Sequence, residues 1–439
     1  MPTDETGVGP GAASEQTAAA GSERSGNPIS GLWRTTSGIV VCKVVANGAA
    51  AAVALFSARQ LGPSGRGVLV LLLTLSGFIS VIASLGLNLA ARIHLVAEVG
   101  RIECRDYLGL ASLLTAGAVV LSVALGTTLL PLVDVRLSPA ELVLFAALSA
   151  SILAPFLLNA AINAYGFTTR AAMVDAAGTV AQLLLTLALF ISGERRVEAY
   201  VAAMVAGNSV QLVLALGALR PVAGSLRPRF HRSAWRPIIR TGVPGIAVDL
   251  SSILTFRLDR YLLGLLLNPA AVGVYSVAAT APEVLRLPAL AMGQPIFHRL
   301  ASRTAQVEDF ARTRLHCLLV TGALAAVTFL AAPMAVRLLF GEEYRAAVTP
   351  LRILLLAEFG ITLFYIDGAS LAAAFSRLGD PAIASVAGCV VVVIADLLLI
   401  PPHGVVGAAW GSVVGYSVIG LVAHGMLRHR LRLRETTQV

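Results

Sequence analysis

The sequence predicts an all-α polytopic membrane protein of about twelve transmembrane helices. Three observations carry that prediction. Of 439 residues, 57% are hydrophobic and 13% charged, against about 25% charged in soluble domains; the mean hydropathy is +0.81. Apolar runs of about 20 residues recur along almost the whole chain, each long enough to cross a hydrocarbon core of about 30 Å. Arginines gather in the loops after alternate runs, the imprint of the positive-inside rule.

Met1 to Ser30 is rich in Gly, Ala, Ser and Glu and contains no apolar stretch. It lacks the h-region of a cleavable signal peptide, and residues 1–34 read as a disordered cytoplasmic tail. Trp33 and Arg34 stand where an interfacial anchor belongs. The first segment runs from Thr36 to Ala58, and the second from Val68 to Ala91, before a basic loop from Arg92 to Arg105. Leu108 to Leu132, Ala140 to Tyr165, Ala171 to Ile191 and Val197 to Leu219 supply the third to sixth. A basic linker, residues 222–240, follows with Arg227, Arg229, Arg232, Arg236 and Arg240.

The seventh and eighth segments lie between Arg240 and Ser302, joined by a tight Asn268-Pro269 turn. A second basic loop holds Arg299, Arg303, Arg312 and Arg314. Leu315 to Leu339 and Thr349 to Phe375 are the ninth and tenth segments; Ala382 to Ile400 and Gly404 to Leu427 are the eleventh and twelfth, split at Pro401-Pro402. The basic tail, residues 429–439, closes the chain. The arginine-rich loops follow even-numbered segments, so these loops and both termini are expected in the cytoplasm.

The net charge of +9 is explained by those loops, which sets nucleic-acid binding aside. Cys42, Cys104, Cys317 and Cys389 are scattered, with no CxxC and no histidine cluster. They read as packing residues, and no metal, cofactor or disulfide framework is expected. His94, His298 and His316 fall at cytoplasmic segment ends. Asn47, Asn88, Asn159 and Asn163 read as interhelical hydrogen-bonding groups.

A short motif repeats. Leu61-Gly62-Pro63-x-x-x-Gly67-Val68 follows the first segment, and Leu267-Asn268-Pro269-x-x-x-Gly273-Val274 follows the seventh, offset by 206 residues. An even number of segments per half makes the repeats parallel, with the substrate site expected between two pseudo-symmetric six-helix lobes. These are residues 35–221 and 241–428. The same offset sets Lys43 opposite Asp249, and both are expected to face the central space.

Ionisable groups at bilayer depth are costly and normally face a bundle interior or a water-filled cavity. Asp249, Ser252, Phe256, Asp259 and Arg260 share one helical stripe, flanked by Arg257. The bland alternative pairs Asp259 with Arg257 or Arg260 as a packing device. Glu283 and Arg286, spaced i, i+3 between Pro282 and Pro288, are placed to pair with each other. Glu358 and Asp367 lie on opposite faces of one helix, and Asp396 stands alone; each reads as a lone acid able to carry a proton or to contact a helix end.

Four stretches, in order, resemble the polysaccharide-biosynthesis flippases, the O-antigen and exopolysaccharide transporters of the multidrug/oligosaccharidyl-lipid/polysaccharide exporter superfamily. ARQLGPSGRG is similar to that family's hallmark after the first span. TGVPGIAVDLSSILTFRLDRYLLGLLLNPAAVGVYSVA looks like its seventh-to-eighth span signature. LLFGEEYRAAVTPLRILL and LLLIPPHGVVGAAWGS resemble its G-x-x-Y-x-x-A segment and its L-I-P-x-x-G-x-x-G-A-A turn. The resemblance covers about Thr36 to Arg430.

The resemblance implies two six-helix lobes around a cationic central cavity, and alternating access. It implies transport, without catalysis, of a lipid-linked oligosaccharide on undecaprenyl diphosphate across the bacterial cytoplasmic membrane. Implied partners are that substrate, membrane lipids, and the polysaccharide polymerase and glycosyltransferases of surface polysaccharide synthesis. The family varies in its cavity charges, so residue roles rest on burial and helical phase alone. Lys43, Arg257, Arg260 and Arg286 are the expected headgroup cations; Asp249, Asp259, Glu283 and Glu358 are the ion-coupling candidates. The competing reading is a cation-coupled small-molecule antiporter of the related multidrug branch. A membrane polymerase or ligase would need a long external loop, which the chain lacks, and a peptidoglycan-precursor flippase usually carries two further spans.

Overall fold

The computed structural model describes residues 28–95, 102–223, 225–290, 292, 296, 300, 310–374 and 379–437. Most of the amino-terminal tail, along with His298, Arg299 and Arg303, lies outside the described residues. Helix length settles the topology at both ends of the chain. Helix α1 (Pro28–Ser84) has a 47-residue apolar portion, about 70 Å of helix against about 30 Å of hydrocarbon. It folds at Gly62 (φ 66, ψ 179), followed by Pro63, a backbone conformation that β-carbon sterics close to other residues. The two arms are tied across the turn by Arg66 Nη1 donating to Ser57 Oγ at 2.8 Å. Helix α11 (Gly379–Thr437) folds in the same way at Gly404 (φ 58, ψ −134).

Between them come α2 (Leu87–His94), α3 (Cys104–Leu129), α4 (Pro139–Ala164), α5 (Thr168–Ile191), α6 (Val197–Ala223), α7 (Arg232–Leu266), α8 (Pro269–Leu285), α9 (Phe310–Ala335) and α10 (Val348–Ala374). Eight described helices are long and apolar enough to cross a membrane. Two of them, α1 and α11, are folded back at a glycine and give two passes each, ten in all among the described residues; the charge-bearing α7 and α8 are not among the eight, and the expected twelve counts them as the remaining two. The protein is an all-α, multi-pass membrane protein.

Three expectations shift. The last two passes turn at Gly404 rather than at Pro401-Pro402, which lie within the helix; the prolines only lack N–H donors, whereas the reversal needs positive φ. Helix α7 starts at Arg232, inside the expected linker. There Trp235 and Ile238 are buried while Arg232, Arg236 and Arg240 are exposed, so this stretch is an amphipathic first part of the helix. The Trp235 indole donates to the Asp106 carbonyl at 2.9 Å and pins α7 to α3. The second segment breaks at Leu85-Gly86, both at positive φ, before α2 resumes.

The α3–α4, α5–α6 and α7–α8 turns are held by local hydrogen bonds. Ser138 and Glu141 form a reciprocal capping box at the start of α4, and Asn268 caps α8 by accepting from the Ala271 amide at 3.0 Å. In the α5–α6 turn, hydrogen bonds from Arg196 hold the half-buried Glu194 carboxyl down at about 2. The segment after α9 passes through a short π-helix (Val336–Phe340) and a 3-10 helix (Glu342–Ala347). This delivers the buried Tyr344 hydroxyl to the Ala58 carbonyl at 2.9 Å, which explains a tyrosine in that motif. Tyr344→Phe should destabilise the fold by about 1–3 kcal/mol, the cost of one orphaned buried acceptor, read as a lower unfolding midpoint in detergent.

The motif repeat has a physical counterpart. A β-carbon on Gly67 would stand 1.7 Å from the Pro269 carbonyl oxygen, and one on Gly273 would stand 1.9 Å from that of Pro63. Each glycine of one motif copy thus receives the proline carbonyl of the other. That reciprocity is what parallel repeats related by a two-fold axis require.

Helices α1 and α3 to α6 pack on one another, as do α7 to α11, and α1 and α2 bridge to α7 and α8. One apolar core runs from Val53 in α1 to Ala409 in α11.

Candidate functional site

The charge-bearing stretch of α7 and α8 sits against α10 and α11. Asp259 is 3% exposed. It accepts the Tyr275 hydroxyl at 2.6 Å and the Arg260 backbone N–H at 2.7 Å. The Tyr275 oxygen also lies 3.0 Å from Ser412 Oγ on α11. The expected pairing of Asp259 with an arginine side chain is therefore not the one formed. Arg260 and Arg257 instead converge on Glu283: Arg260 through a short contact, Arg257 Nη1 at 3.4 Å.

Arg286 does not pair with Glu283, three residues away. It reaches α10, where Nε and Nη2 donate to the two Glu358 oxygens at 3.2 and 2.7 Å. Its guanidinium also lies over the Phe256 ring, 5.1 Å from the centroid. A planar fork meeting a carboxylate edge-on is the strongest form of this contact. The helical spacing of Glu283 and Arg286 permitted a local pair, and tertiary partners displaced it.

Three guanidiniums therefore meet two glutamates through their side chains, while the third carboxylate of the group, Asp259, is held by Tyr275 and the Arg260 backbone. Burial ranks the three arginines: the Arg257 side chain is 40% exposed, against 16% for Arg286 and 9% for Arg260. Arg257 is the cation of this group most open to a ligand.

Asp396 is fully buried, and neither carboxylate oxygen has a hydrogen-bond partner among the described residues. It packs against Gly411, next to Ser412, within electrostatic reach of Asp259. Two acids from α7 and α11 thus flank the Tyr275–Ser412 bridge. Asp367 is not alone: Arg314 Nη1 and His424 Nδ1 lie 3.1 and 2.7 Å from its two oxygens, and Arg314 belongs to α9 rather than to a loop. Opposite partners for Glu358 and Asp367 agree with their opposite helical phase.

In the first half of the chain, Lys43 is exposed on α1 and within electrostatic reach of Asp175 on α5. Asp249 accepts from Asn88 Nδ2 on α2 at 3.0 Å. The two pseudo-equivalent charges thus have separate partners. Asn88 and Asn159 bond between helices as expected, but Asn47 and Asn163 donate to the carbonyls of Lys43 and Asn159 in their own helices. Asp175, a carboxylate inside an apolar run, was detectable by the same signal that marked Asp249. The Asp396–Asp259 proximity was not, because it joins positions 137 residues apart.

Two concavities lie away from this constellation. One is an apolar groove of about 390 Å³ between α9 and α10, closed by Phe329 and Phe359 with Arg352 at its rim. The other, about 450 Å³, lies among α2, α3 and the start of α7, with His94, Asp106 and Arg229 on its walls. No group of three or more potential metal-ligating side chains occurs among the described residues.

Residues 32–300, more than half of the chain, match the polysaccharide biosynthesis protein family. No curated protein matches. Among solved structures, the chain is similar to the lipid II flippase MurJ in an inward closed conformation (TM-score 0.72, 11% identity, 89% of this chain and 87% of that one). It is also similar to the inward-facing conformation of a multidrug resistance MATE family transporter of the MOP superfamily (TM-score 0.69, 19% identity, 89% and 96%). An outward-facing conformation of such a transporter gives a TM-score of 0.60 (17% identity, 94% and 97%). At such identities the likeness is one of fold.

Proposed function

The chain belongs to the polysaccharide biosynthesis protein family, and on that premise we propose that it is a flippase for a lipid-linked oligosaccharide. The cargo is an oligosaccharide on undecaprenyl diphosphate, carried across the bacterial cytoplasmic membrane by alternating access for surface polysaccharide synthesis. The two lobes, residues 35–221 and 241–428, rock against each other, closing and parting at the Gly67–Gly273 crossing. The basic ends and both termini face the cytoplasm, the orientation that the positive-inside rule favours.

The observation that supports this most is the half-open guanidinium of Arg257, which shares its one carboxylate with Arg260. A diphosphate headgroup cannot enter hydrocarbon unaided, whereas an arginine fork binds phosphate oxygens in paired hydrogen bonds. Arg257, half-open and sharing Glu283 with Arg260, makes first contact. Arg260 and Arg286 supply the fixed positive field behind it, and Lys43 contributes from the opposite lobe. The lipid tail stays in the bilayer while the headgroup moves.

Coupling to a cation gradient falls to the buried acids. Glu283 and Glu358 are taken up by arginines, whereas Asp249 and Asp259 have only neutral donors in hydrogen-bond contact; Asp259 is the more deeply buried of the two and is the coupling acid, and Asp396 joins it. A cation or proton held there would compensate carboxylates that hydrocarbon cannot solvate.

The test is the lipid-linked glycan pool of a deletion strain, complemented with wild type or with variants. Complementation should clear undecaprenyl-linked oligosaccharide from the cytoplasmic leaflet. Arg257→Ala should slow flipping roughly 10-fold or more, as loss of a charge-assisted hydrogen bond of about 1.5–3 kcal/mol implies, and Arg257→Lys should recover part of it. A normal pool with altered drug sensitivity would instead favour the small-molecule antiporter.

A further inference from the structure

The polar groups of the first lobe differ in kind from those of the second. Where α7 to α11 carry arginines and carboxylates, α4 to α6 carry carboxamides. Gln182 Nε2 on α5 donates to Asn208 Oδ1 on α6 at 2.6 Å, and Asn208 Nδ2 donates to Ser151 Oγ on α4 at 3.1 Å. Asn159 on α4 and Gln211 on α6 both donate to Asp175 Oδ1. Lys43 lies within electrostatic reach of that carboxylate, so the two formal charges of this belt offset each other.

Bonds between helices account for part of the pattern, since carboxamides commonly join transmembrane helices. They do not account for all of it. Asn159 is 8% exposed, and its Oδ1 has no partner among the described residues. Asn47 and Asn163 join no two helices; each amide donates to a carbonyl one turn back. A buried acceptor left open beside carboxamides that hold nothing together is more polar capacity than packing needs.

We infer that this belt is the glycan subsite, taking uncharged sugars that bear hydroxyl and acetamido groups. The inference rests on the flippase reading and assigns the headgroup's two chemistries to separate lobes. A sugar hydroxyl both donates and accepts, and a carboxamide offers two N–H donors and an acceptor oxygen. Neutral groups provide that match without the cost of further buried charge. Mutual bonding among Gln182, Asn208, Asn159 and Gln211 fixes their orientation before the sugar arrives, which lowers the cost of ordering on binding. The diphosphate stays with Arg257 in the other lobe.

The experiment compares two probes on the purified full-length protein by native mass spectrometry. One is undecaprenyl diphosphate; the other is the same lipid carrying a single N-acetylhexosamine. Wild type should bind the sugar-bearing lipid roughly 10-fold more tightly than the bare one. Asn47→Leu/Asn163→Leu breaks no bond between helices, so it should keep wild-type stability and bare-lipid affinity while losing most of that 10-fold increment. Arg257→Ala should do the reverse, weakening both lipids while preserving the ratio between them. An unchanged ratio in the double variant overturns the subsite, as does a parallel loss of both affinities in it. If wild type binds neither lipid, the flippase reading itself fails and the subsite falls with it.

Discussion

Gly67→Ala should cut flipping at least 10-fold, and Gly67→Leu should abolish it. A β-carbon at this position meets the Pro269 carbonyl oxygen at 1.7 Å and its carbon at 2.5 Å. Both are backbone atoms, so no side-chain rotation relieves the clash, and the two lobes must part at this crossing. Overpacking of this kind costs about 1–3 kcal/mol or more, and about 1.4 kcal/mol is tenfold in a conformational equilibrium. The state lost is the one seen here, closed at the crossing. Spin labels at Ser64 and Ala270 should report a longer distance in Gly67→Ala, alongside the flipping assay in proteoliposomes. Gly48→Ala is the control, because a β-carbon there meets nothing within 4 Å. Wild-type flipping and distance in Gly67→Ala would mean that the crossing neither seals nor separates during transport.

Glu358→Leu should lower stability by about 3–5 kcal/mol, the penalty for a buried charge deprived of its partner. The Glu358 side chain is 1% exposed and both its oxygens are held by Arg286. Arg286 has no second carboxylate in hydrogen-bond contact among the described residues, and the Phe256 ring beneath it offers only a weak substitute. The double variant Arg286→Met/Glu358→Leu should regain most of the loss, since apolar residues of similar volume often replace a buried pair at little net cost. Thermal unfolding in detergent measures all three proteins. The double variant also separates structure from transport: if it folds well and no longer flips lipid, these charges serve the substrate. If it is no more stable than Glu358→Leu, the pair is not the isolated ionic unit its geometry describes.

Much of the architecture was legible because bilayer thickness leaves few choices. An apolar run of about 20 residues has one stable use, so the segments are found close to their expected places. Where boundaries moved, a local rule had been read too simply. Pro401-Pro402 looked like a break, but Gly404 has the backbone freedom to make one. Arg232 to Arg240 looked like a loop because its arginines were counted and the buried stripe of Trp235 and Ile238 was not. Similarly, Asp175 passed unnoticed in an apolar segment although its charge was as conspicuous as that of Asp249.

Which residues carry charge into the membrane was written in the chain: Lys43, Arg257, Asp259, Arg260, Glu283, Arg286 and Glu358 each interrupt an apolar run. So was the repeat, since Gly62-Pro63-x-x-x-Gly67 and Asn268-Pro269-x-x-x-Gly273 are visible as text. Who pairs with whom was not. Helical spacing offered Glu283 to Arg286 and Asp259 to Arg260, yet Glu283 went to Arg257 and Arg260, Arg286 went to Glu358, and Asp259 went to Tyr275. An i, i+3 pair on one helix gains only a few tenths of a kcal/mol. A forked contact between helices in a low-dielectric interior is far stronger. Composition and periodicity therefore decide where charges are buried, and three-dimensional packing decides which of them remain free to meet a ligand.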